Sequence, residues 1–124
     1  MRFLRSVRYA WEGICYAIAT QRNMRIHLAF VAVVPAAAWW LDISVGELLI
    51  VLLFIALVVA LELVNTAIES VVDLVTLERH PLAKVAKDTA AGAVLVAAFV
   101  SVIAGLIIFG PPLYRKLSAV FLFS

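Results

Sequence analysis

Three acidic side chains and one amide are predicted to share one face of an apolar helix. They lie in the run Glu62-Leu-Val-Asn65-Thr-Ala-Ile-Glu69-Ser-Val-Val-Asp73. Offsets of three, seven and eleven residues from Glu62 place all four on one helical stripe. Each charged residue at the centre of a membrane helix costs about 2.5–3.5 kcal/mol on insertion scales. A divalent cation, a cationic partner or a water-filled pocket must therefore compensate the acids, and the stripe indicates a functional site.

The spacing within this stripe suits phosphate chemistry. Glu69 and Asp73 are four residues apart and can share a cation, as can Asn65 and Glu69. Mg²⁺ prefers one or two carboxylates together with waters and substrate phosphates. Glu62 lies deeper in the apolar segment, where a lipid headgroup would sit, and is a candidate general base for a hydroxyl proton.

A basic residue beyond the stripe completes the set that phosphoryl transfer needs. Lys87, followed by Asp88, can offset phosphate charge. Positioning, a metal, a cation and a base are the main requirements of that reaction. The alternative is a purely structural role, in which Asn65 and the acids bind Lys87 and Arg25 and so hold the helices together.

The composition is that of an integral membrane protein. The 124 residues are 66% hydrophobic and 15% charged, with a mean hydropathy of +1.13, whereas soluble domains are about 45–50% apolar. We expect one domain over residues 1–124. Zinc-binding patterns and glycine-rich nucleotide loops are absent from the sequence. The lone Cys15 excludes an internal disulfide.

The apolar periodicity predicts an all-α membrane protein with four helical segments. An amphipathic helix over about residues 2–20, with Trp and Phe on its apolar side, suits the membrane surface, the alternative being a cytoplasmic packing helix. Three spans are predicted over about 24–41, 47–75 and 89–109. A polar loop is expected from 76 to 88, and Gly110-Pro111-Pro112 predicts a sharp end to the last span, followed by a tail over 110–124.

Basic residues near the span ends predict the topology. They precede the first span and fill the second loop, which places both on the cytoplasmic side. The C-terminus then faces out, although Arg115 and Lys116 oppose this weakly. Small residues recur every fourth position and permit close helix approach. These residues are Ala93, Ala97, Ser101 and Gly105.

Two long motifs resemble the prokaryotic diacylglycerol kinase family, which includes undecaprenol kinases. The first is the acidic stripe, and the second is Ala86-Lys87-Asp88-Thr-Ala-Ala-Gly92-Ala-Val-Leu. The stretches Ser6-Val-Arg-Tyr9-Ala-Trp-Glu-Gly13-Ile and Arg22-Asn23-Met-Arg25-Ile-His27-Leu match as well. The resemblance covers about residues 2–110 and occurs in the family's order and spacing.

The resemblance implies a homotrimeric lipid kinase in a bacterial plasma membrane. Active sites would lie between subunits at the cytoplasmic interface, with MgATP as donor, a lipid alcohol as acceptor and no nucleic-acid partner. Glu62 matches the family's general base, Asn65 its neighbour, and Glu69 a metal ligand that also faces the nucleotide. The nucleotide site would further involve Tyr9, Glu78, His80, Lys87 and Asp88.

One position departs from the family pattern. The family's second metal-binding glutamate falls at position 21, which here is Gln21. An amide oxygen can ligate Mg²⁺ but brings no negative charge, so the resemblance implies weaker metal binding or a different second ligand. The stretches around His27 and His80 look more like the undecaprenol-kinase branch, and undecaprenol is the favoured acceptor over diacylglycerol.

Two other classes of protein remain as alternatives. A small proton-coupled exporter has a similar length and an essential intramembrane glutamate, but its acid would lie near the midplane. A non-catalytic membrane scaffold would need the acids only for stability. Here the acids lie at the cytoplasmic end of the second span, beside basic loops, and this position favours the kinase.

Overall fold

A computed structural model describes residues 1–122, which fold into four helices joined by short connections. The helices are α1 (Arg2–Thr20), α2 (Arg22–Trp40), α3 (Val45–Val75) and α4 (Pro81–Leu122). The described part of the chain is all-α, as the periodicity predicts, and α1 matches the helix predicted over 2–20.

Gln21 separates α1 from α2. Its backbone is extended, with φ −107° and ψ 117°, and its N–H donates to the Ala17 carbonyl at 2.8 Å. One non-helical residue is therefore enough to redirect the chain. Ala17 is the buried residue of α1, while Phe3, Leu4 and Trp11 remain more than 60% exposed. The apolar face of α1 is thus open, as a membrane-surface helix requires.

The turn between α2 and α3 is fixed by helix capping at both of its ends. Asp42 has a left-handed φ of 56°, and the Ile43 N–H donates to the Ala38 carbonyl at 2.9 Å, which is a Schellman ending. Ser44 and Glu47 then form a reciprocal capping box at the start of α3. This turn lies between the predicted spans 24–41 and 47–75 and makes α2 and α3 antiparallel.

The connection between α3 and α4 is shorter than predicted. We expected a polar loop from 76 to 88, but α4 already begins at Pro81. Proline suits the first helical position because its missing N–H has no helical partner there. The His80 ring nitrogen Nδ1 accepts from the Leu82 N–H at 3.1 Å, and this cap starts the helix early. Lys84, Lys87 and Asp88 consequently lie on a helix.

The predicted helix end at Gly110-Pro111-Pro112 is wrong. α4 runs through both prolines to Leu122, so the expected tail is helical as far as it is described, and its last two residues lie outside the described part. Proline's fixed φ is compatible with a helix although its N–H is lost. Lys116 Nζ also donates to the Trp40 carbonyl and lies 4.9 Å from the centroid of the Trp40 ring. This tertiary contact holds the segment beyond the prolines against the end of α2.

α3 is the central helix of the fold. α2 and α4 both pack on it and make few contacts with each other. Val58 of α3 meets Val94 and Ala97 of α4 in a small apolar core. Ala97 therefore uses its small size for close helix packing within the subunit.

Within residues 1–122, two helices are long and apolar enough to cross a membrane. They are α3 and α4. At 1.5 Å per residue they are about 46 and 63 Å long, which exceeds a hydrocarbon layer of about 30 Å. Most of their large apolar side chains are exposed, so lipid or protein must cover these faces.

Candidate active site

Glu62 is buried in the middle of α3. Only 1% of its surface is exposed. Its backbone carbonyl accepts from the Thr66 hydroxyl at 2.8 Å, whereas no donor within residues 1–122 is hydrogen-bonded to its carboxylate. A buried carboxylate without a donor is free to accept a proton from a substrate hydroxyl.

Asn65, Glu69 and Gln21 form a polar cluster next to Glu62. Nδ2 of Asn65 donates to Oε1 of Glu69 at 3.2 Å, and Nε2 of Gln21 donates to Oε2 of the same carboxylate at 3.2 Å. The carboxylate of Glu69 is therefore held from both sides. The break between α1 and α2 positions Gln21 so that its side chain reaches the stripe.

One atom of this cluster lacks a partner among residues 1–122. Oδ1 of Asn65 is buried and accepts no hydrogen bond from them, and Asn65 as a whole is 6% exposed. A buried acceptor without a donor is costly in a finished site. An acceptor in this position is suited to a cation, a substrate hydroxyl or a bound water.

His27 is a site residue that the sequence analysis did not select. It lies on α2 and interacts electrostatically with Glu62, as Glu69 does. Its sequence signal was its place in the stretch Arg22-Asn23-Met-Arg25-Ile-His27, where a single histidine has no diagnostic spacing. Packing of α2 on α3 places it beside the acids.

Asp73 and Lys87 link α3 to α4 at the end of the stripe. The Lys87 ammonium donates to Oδ1 of Asp73 at 2.5 Å. Asp88 instead pairs with Lys84 on its own helix. The predicted Lys87 and Asp88 are therefore neighbours in sequence that contact different partners.

Three other predicted residues are not brought to the cluster within the described chain. Tyr9 is 63% exposed on α1. Glu78 lies in the exposed loop, where its N–H donates to the Thr76 hydroxyl at 3.1 Å. His80 caps α4. A nucleotide bound by these residues would have to bridge several elements, or a second subunit would have to supply some of them.

The donor set around Glu69 fits a hard divalent cation only in part. Within residues 1–122, no three His, Cys, Asp or Glu side chains come together as a metal site. Glu69 supplies one carboxylate, and Asn65 supplies an unpaired amide oxygen. Gln21 could add its oxygen only by turning its amide over, which would break its bond to Glu69. Mg²⁺ commonly completes such a shell with substrate phosphates, so the residues fit a metal that arrives with a nucleotide.

Comparison with known proteins agrees with the sequence motifs. The family model for prokaryotic diacylglycerol kinase matches residues 8–109. A diacylglycerol kinase from Synechocystis is 52% identical over 109 residues, which is 87% of this chain and 62% of the relative. The chain thus spans about three-fifths of that protein's length.

Two further relatives match along most of both chains. An undecaprenol kinase from Bacillus subtilis is 46% identical over 112 residues, 90% of this chain and 91% of the relative. A diacylglycerol kinase from Escherichia coli K12 is 33% identical over 102 residues, 82% of this chain and 84% of the relative. The names of these relatives divide between two lipid acceptors.

Proposed function

The chain belongs to the prokaryotic diacylglycerol kinase family, a family of membrane lipid kinases, and we propose that it phosphorylates a membrane lipid alcohol. The donor is ATP and the acceptor group is a primary hydroxyl, with undecaprenol favoured over diacylglycerol. The observation that carries this proposal is the buried Glu62 beside the polar cluster of Gln21, Asn65 and Glu69.

The proposed reaction is a direct in-line transfer. The carboxylate of Glu62 takes the proton from the lipid hydroxyl, and the hydroxyl oxygen bonds to the γ-phosphorus of ATP. The bond from that phosphorus to the β–γ bridging oxygen breaks, and ADP leaves. The buried position of Glu62 supports this role because surroundings of low dielectric strengthen its interaction with the hydroxyl.

The nucleotide would lie across the end of the stripe. The Lys87 ammonium would leave its ion pair with Asp73 and bind phosphate oxygens instead. Asp88 would orient the nucleotide or the ammonium of Lys87. Glu69 and Gln21 would hold Mg²⁺, which when bound neutralises charge on the β- and γ-phosphates. Tyr9, Glu78 and His80 would line the rest of the nucleotide site.

We propose a homotrimer of three-span subunits as the working form. Several residues that are predicted to bind the nucleotide are exposed and lie apart within one subunit. Partner subunits could bring them together, which supports this assembly. The large exposed apolar surface of α3 and α4 also supports it. α2 would be the third span, since its 19 residues give about 28 Å, close to the ~30 Å of hydrocarbon.

The distribution of charge supports a cytoplasmic active site in the plasma membrane. Arg22, Arg25, Lys84 and Lys87 lie at the end of the helices that carries the polar cluster. Trp39, Trp40 and Lys116 lie at the other end, where aromatic residues mark an interface. The N-terminus and α1 would thus face the cytoplasm and the C-terminus the outside.

The deciding experiment is phosphate transfer from radiolabelled ATP in mixed micelles. Undecaprenol and diacylglycerol are offered separately to purified protein with Mg²⁺. Incorporation of label into either lipid is expected, with the higher kcat/KM for undecaprenol. Absence of transfer to both lipids in folded protein would contradict the proposal. ATP-independent proton-coupled transport would then indicate an exporter, and neither activity would indicate a scaffold.

A further inference from the structure

The end of α4 extends beyond the part of the chain that matches the family. The match ends at residue 109, whereas α4 continues to Leu122. About 30 Å of hydrocarbon takes about 20 helical residues, so a span that begins at residue 89 is complete near residue 109. Lys116 contacts the carbonyl and the ring of Trp40, and tryptophan is typical of the membrane interface. Residues 113–122 therefore begin at the membrane surface opposite the polar cluster.

This terminal segment, residues 113–122, has one apolar side. At 3.6 residues per turn, four apolar residues fall within an arc of about 120° that is centred on Leu117. This apolar arc consists of Leu113, Tyr114, Leu117 and Val120, which are between 37% and 75% exposed. Arg115 and Ala119 lie about 160° from Leu117, on the opposite side of the helix. The terminal segment is therefore amphipathic, and its apolar arc is largely uncovered within residues 1–122.

The apolar arc points away from the bundle. Leu117 follows Phe99 by 18 residues, which is five full turns, so the two side chains share one direction on α4. Phe99 is 66% exposed. Val94 and Ala97 lie on the other side of α4 and pack with Val58 of α3. The arc thus continues the exposed apolar face of the part of α4 that is long enough to span the membrane.

Two prolines give the terminal segment a direction in which to bend. Pro112 follows Val94 by 18 residues and so lies on the side of α4 that faces α3, and Pro111 lies about 40° from the direction of Ala97. The ring of a proline clashes with the carbonyl four residues earlier, and the helix relieves this clash by opening on the side of the proline. A bend at these prolines is therefore directed away from α3, toward the side of Leu117.

Such a bend brings the apolar arc onto the bilayer. On an upright segment the arc faces sideways into water. When the segment tips outward, the same arc faces down to the membrane surface, and Arg115 and Ala119 face up to water. Lys116 lies on the flank, about 100° from Leu117, where a lysine stem follows the apolar surface and its ammonium reaches headgroup phosphates.

We propose that residues 113–122 are a membrane-surface anchor, with the apolar arc inserted into the interface of the leaflet opposite the active site. Phospholipid covers the arc because the arc continues an exposed face of a spanning helix and bends toward the bilayer. The only charged residues after Asp88 are Arg115 and Lys116, and two basic residues suit the phosphates of a headgroup layer. The inference rests on α4 crossing the bilayer, as in the proposed three-span subunit, and not on the phosphorylation of any lipid.

The test measures the surroundings of single spin labels on the full-length protein. Leu117→Cys and the matched control Ala119→Cys are made in a Cys15→Ser background, since Cys15 is the single cysteine. Both positions are exposed, so neither substitution opens a core. In vesicles of phosphatidylethanolamine and phosphatidylglycerol, a water-soluble nickel chelate is expected to relax the label at 117 about threefold less than the label at 119, and oxygen to relax it more.

Two results at position 117 would overturn the anchor. Equal access of the nickel chelate to the labels at 117 and 119 would show that the terminal segment stands in water. Exclusion of both oxygen and nickel from the label at 117 would show that a second copy or another protein covers the arc. Phe99→Cys in the same background tests the span separately. Nickel access at position 99 would overturn the crossing of α4 and the anchor with it, whereas oxygen access there with nickel access at 117 would overturn the anchor alone.

A further variant tests the bend itself. Replacing Pro111 and Pro112 together by alanine restores two helical N–H donors and removes both ring clashes. The straightened segment is expected to lift its arc from the membrane, so that nickel access to the label at 117 rises to the level found at 119. Unchanged access in this double variant would show that the prolines do not direct the segment, which would overturn this part of the proposal.

Discussion

The side-chain amide of Gln21 donates a 3.2 Å hydrogen bond to the carboxylate of Glu69, 48 residues further along the chain. This bond connects the break between α1 and α2 to the acidic stripe of α3. Asn65 donates to the other oxygen of the same carboxylate. Gln21 is therefore part of the polar cluster, and its side chain holds the carboxylate of Glu69 by donation.

Replacing Gln21 by glutamate should lower the Mg²⁺ concentration needed for half-maximal activity. The second carboxylate adds a charged oxygen ligand beside Glu69, and the hydrogen bond between the two side chains is lost. Without Mg²⁺ the variant should unfold at a lower temperature, because the two acids repel each other. A Mg²⁺ titration of activity and of thermal unfolding in detergent measures both effects.

The matched control for this change is Thr20→Glu, which adds the same charge at the neighbouring exposed position. Its Mg²⁺ dependence should equal that of the unmodified protein. If Gln21→Glu also leaves the Mg²⁺ dependence unchanged, position 21 is not a metal ligand.

Glu62→Gln should lower kcat about 10²–10⁴-fold, the usual contribution of a general base. The amide has nearly the same shape and carries no charge, so folding in detergent should be retained. Initial rates with undecaprenol and circular dichroism measure the two properties. Glu12→Gln, which removes one partner of the exposed pair with Arg8, is the control and should keep full activity. Turnover near that of the unmodified protein would exclude Glu62 as the base.

Asp73→Asn should strengthen ATP binding about two- to fivefold. Lys87 would then reach phosphate without first leaving Asp73, with which it pairs at 2.5 Å. The free energy of unfolding should change by no more than about 1 kcal/mol, since both side chains are partly solvated. Lys87→Ala should weaken ATP binding instead. Calorimetric Kd values for ATP decide this, and weaker binding by Asp73→Asn would show that Asp73 helps to hold the nucleotide.

Ser44→Ala should reduce the free energy of unfolding by about 1 kcal/mol, the usual cost of losing an N-cap side chain. The hydroxyl accepts from the Glu47 N–H at the start of α3. Denaturant titration in detergent measures the change. Ser6→Ala is the control, because the Ser6 hydroxyl donates only to a carbonyl within its own helix and caps no helix end. Equal effects of both substitutions would argue against the capping box.

Lys116→Ala should free the helical segment beyond Pro111 and Pro112 from the end of α2. Nζ of Lys116 contacts the Trp40 carbonyl and ring and lies 3.9 Å from Oδ2 of Asp42. Hydrogen exchange in residues 113–122 should then become faster. Arg115→Ala, at the neighbouring position, should leave exchange unchanged. Unaltered exchange in Lys116→Ala would mean that the helix continues without this contact.

Much of the site could be predicted from local sequence. Glu62, Asn65 and Glu69 share a face because helical periodicity alone fixes their relative directions, and Asn65 and Glu69 do meet at the spacing of four residues. The expectation that these residues form a functional site followed from the free-energy cost of placing acids in an apolar segment. The boundaries of α1 followed from equally local signals.

The bounds of α4 could not be predicted in the same way. Local signals favoured a loop up to residue 88 and a stop at Gly110-Pro111-Pro112, whereas α4 begins at Pro81 after the His80 cap and the Lys116 contact holds its far end. Proline removes a helical hydrogen bond, whereas the Lys116 contact that offsets this loss reaches Trp40, a residue distant in sequence.

Sequence by itself determined which side chains of α3 form the stripe, since that depends only on the pitch of one helix. Tertiary structure decided that Gln21 and His27 join this stripe and that Lys87 pairs with Asp73. Each of these relationships crosses between helices. Their distances depend on how α2 and α4 pack on α3, and helix periodicity contains no information about that packing.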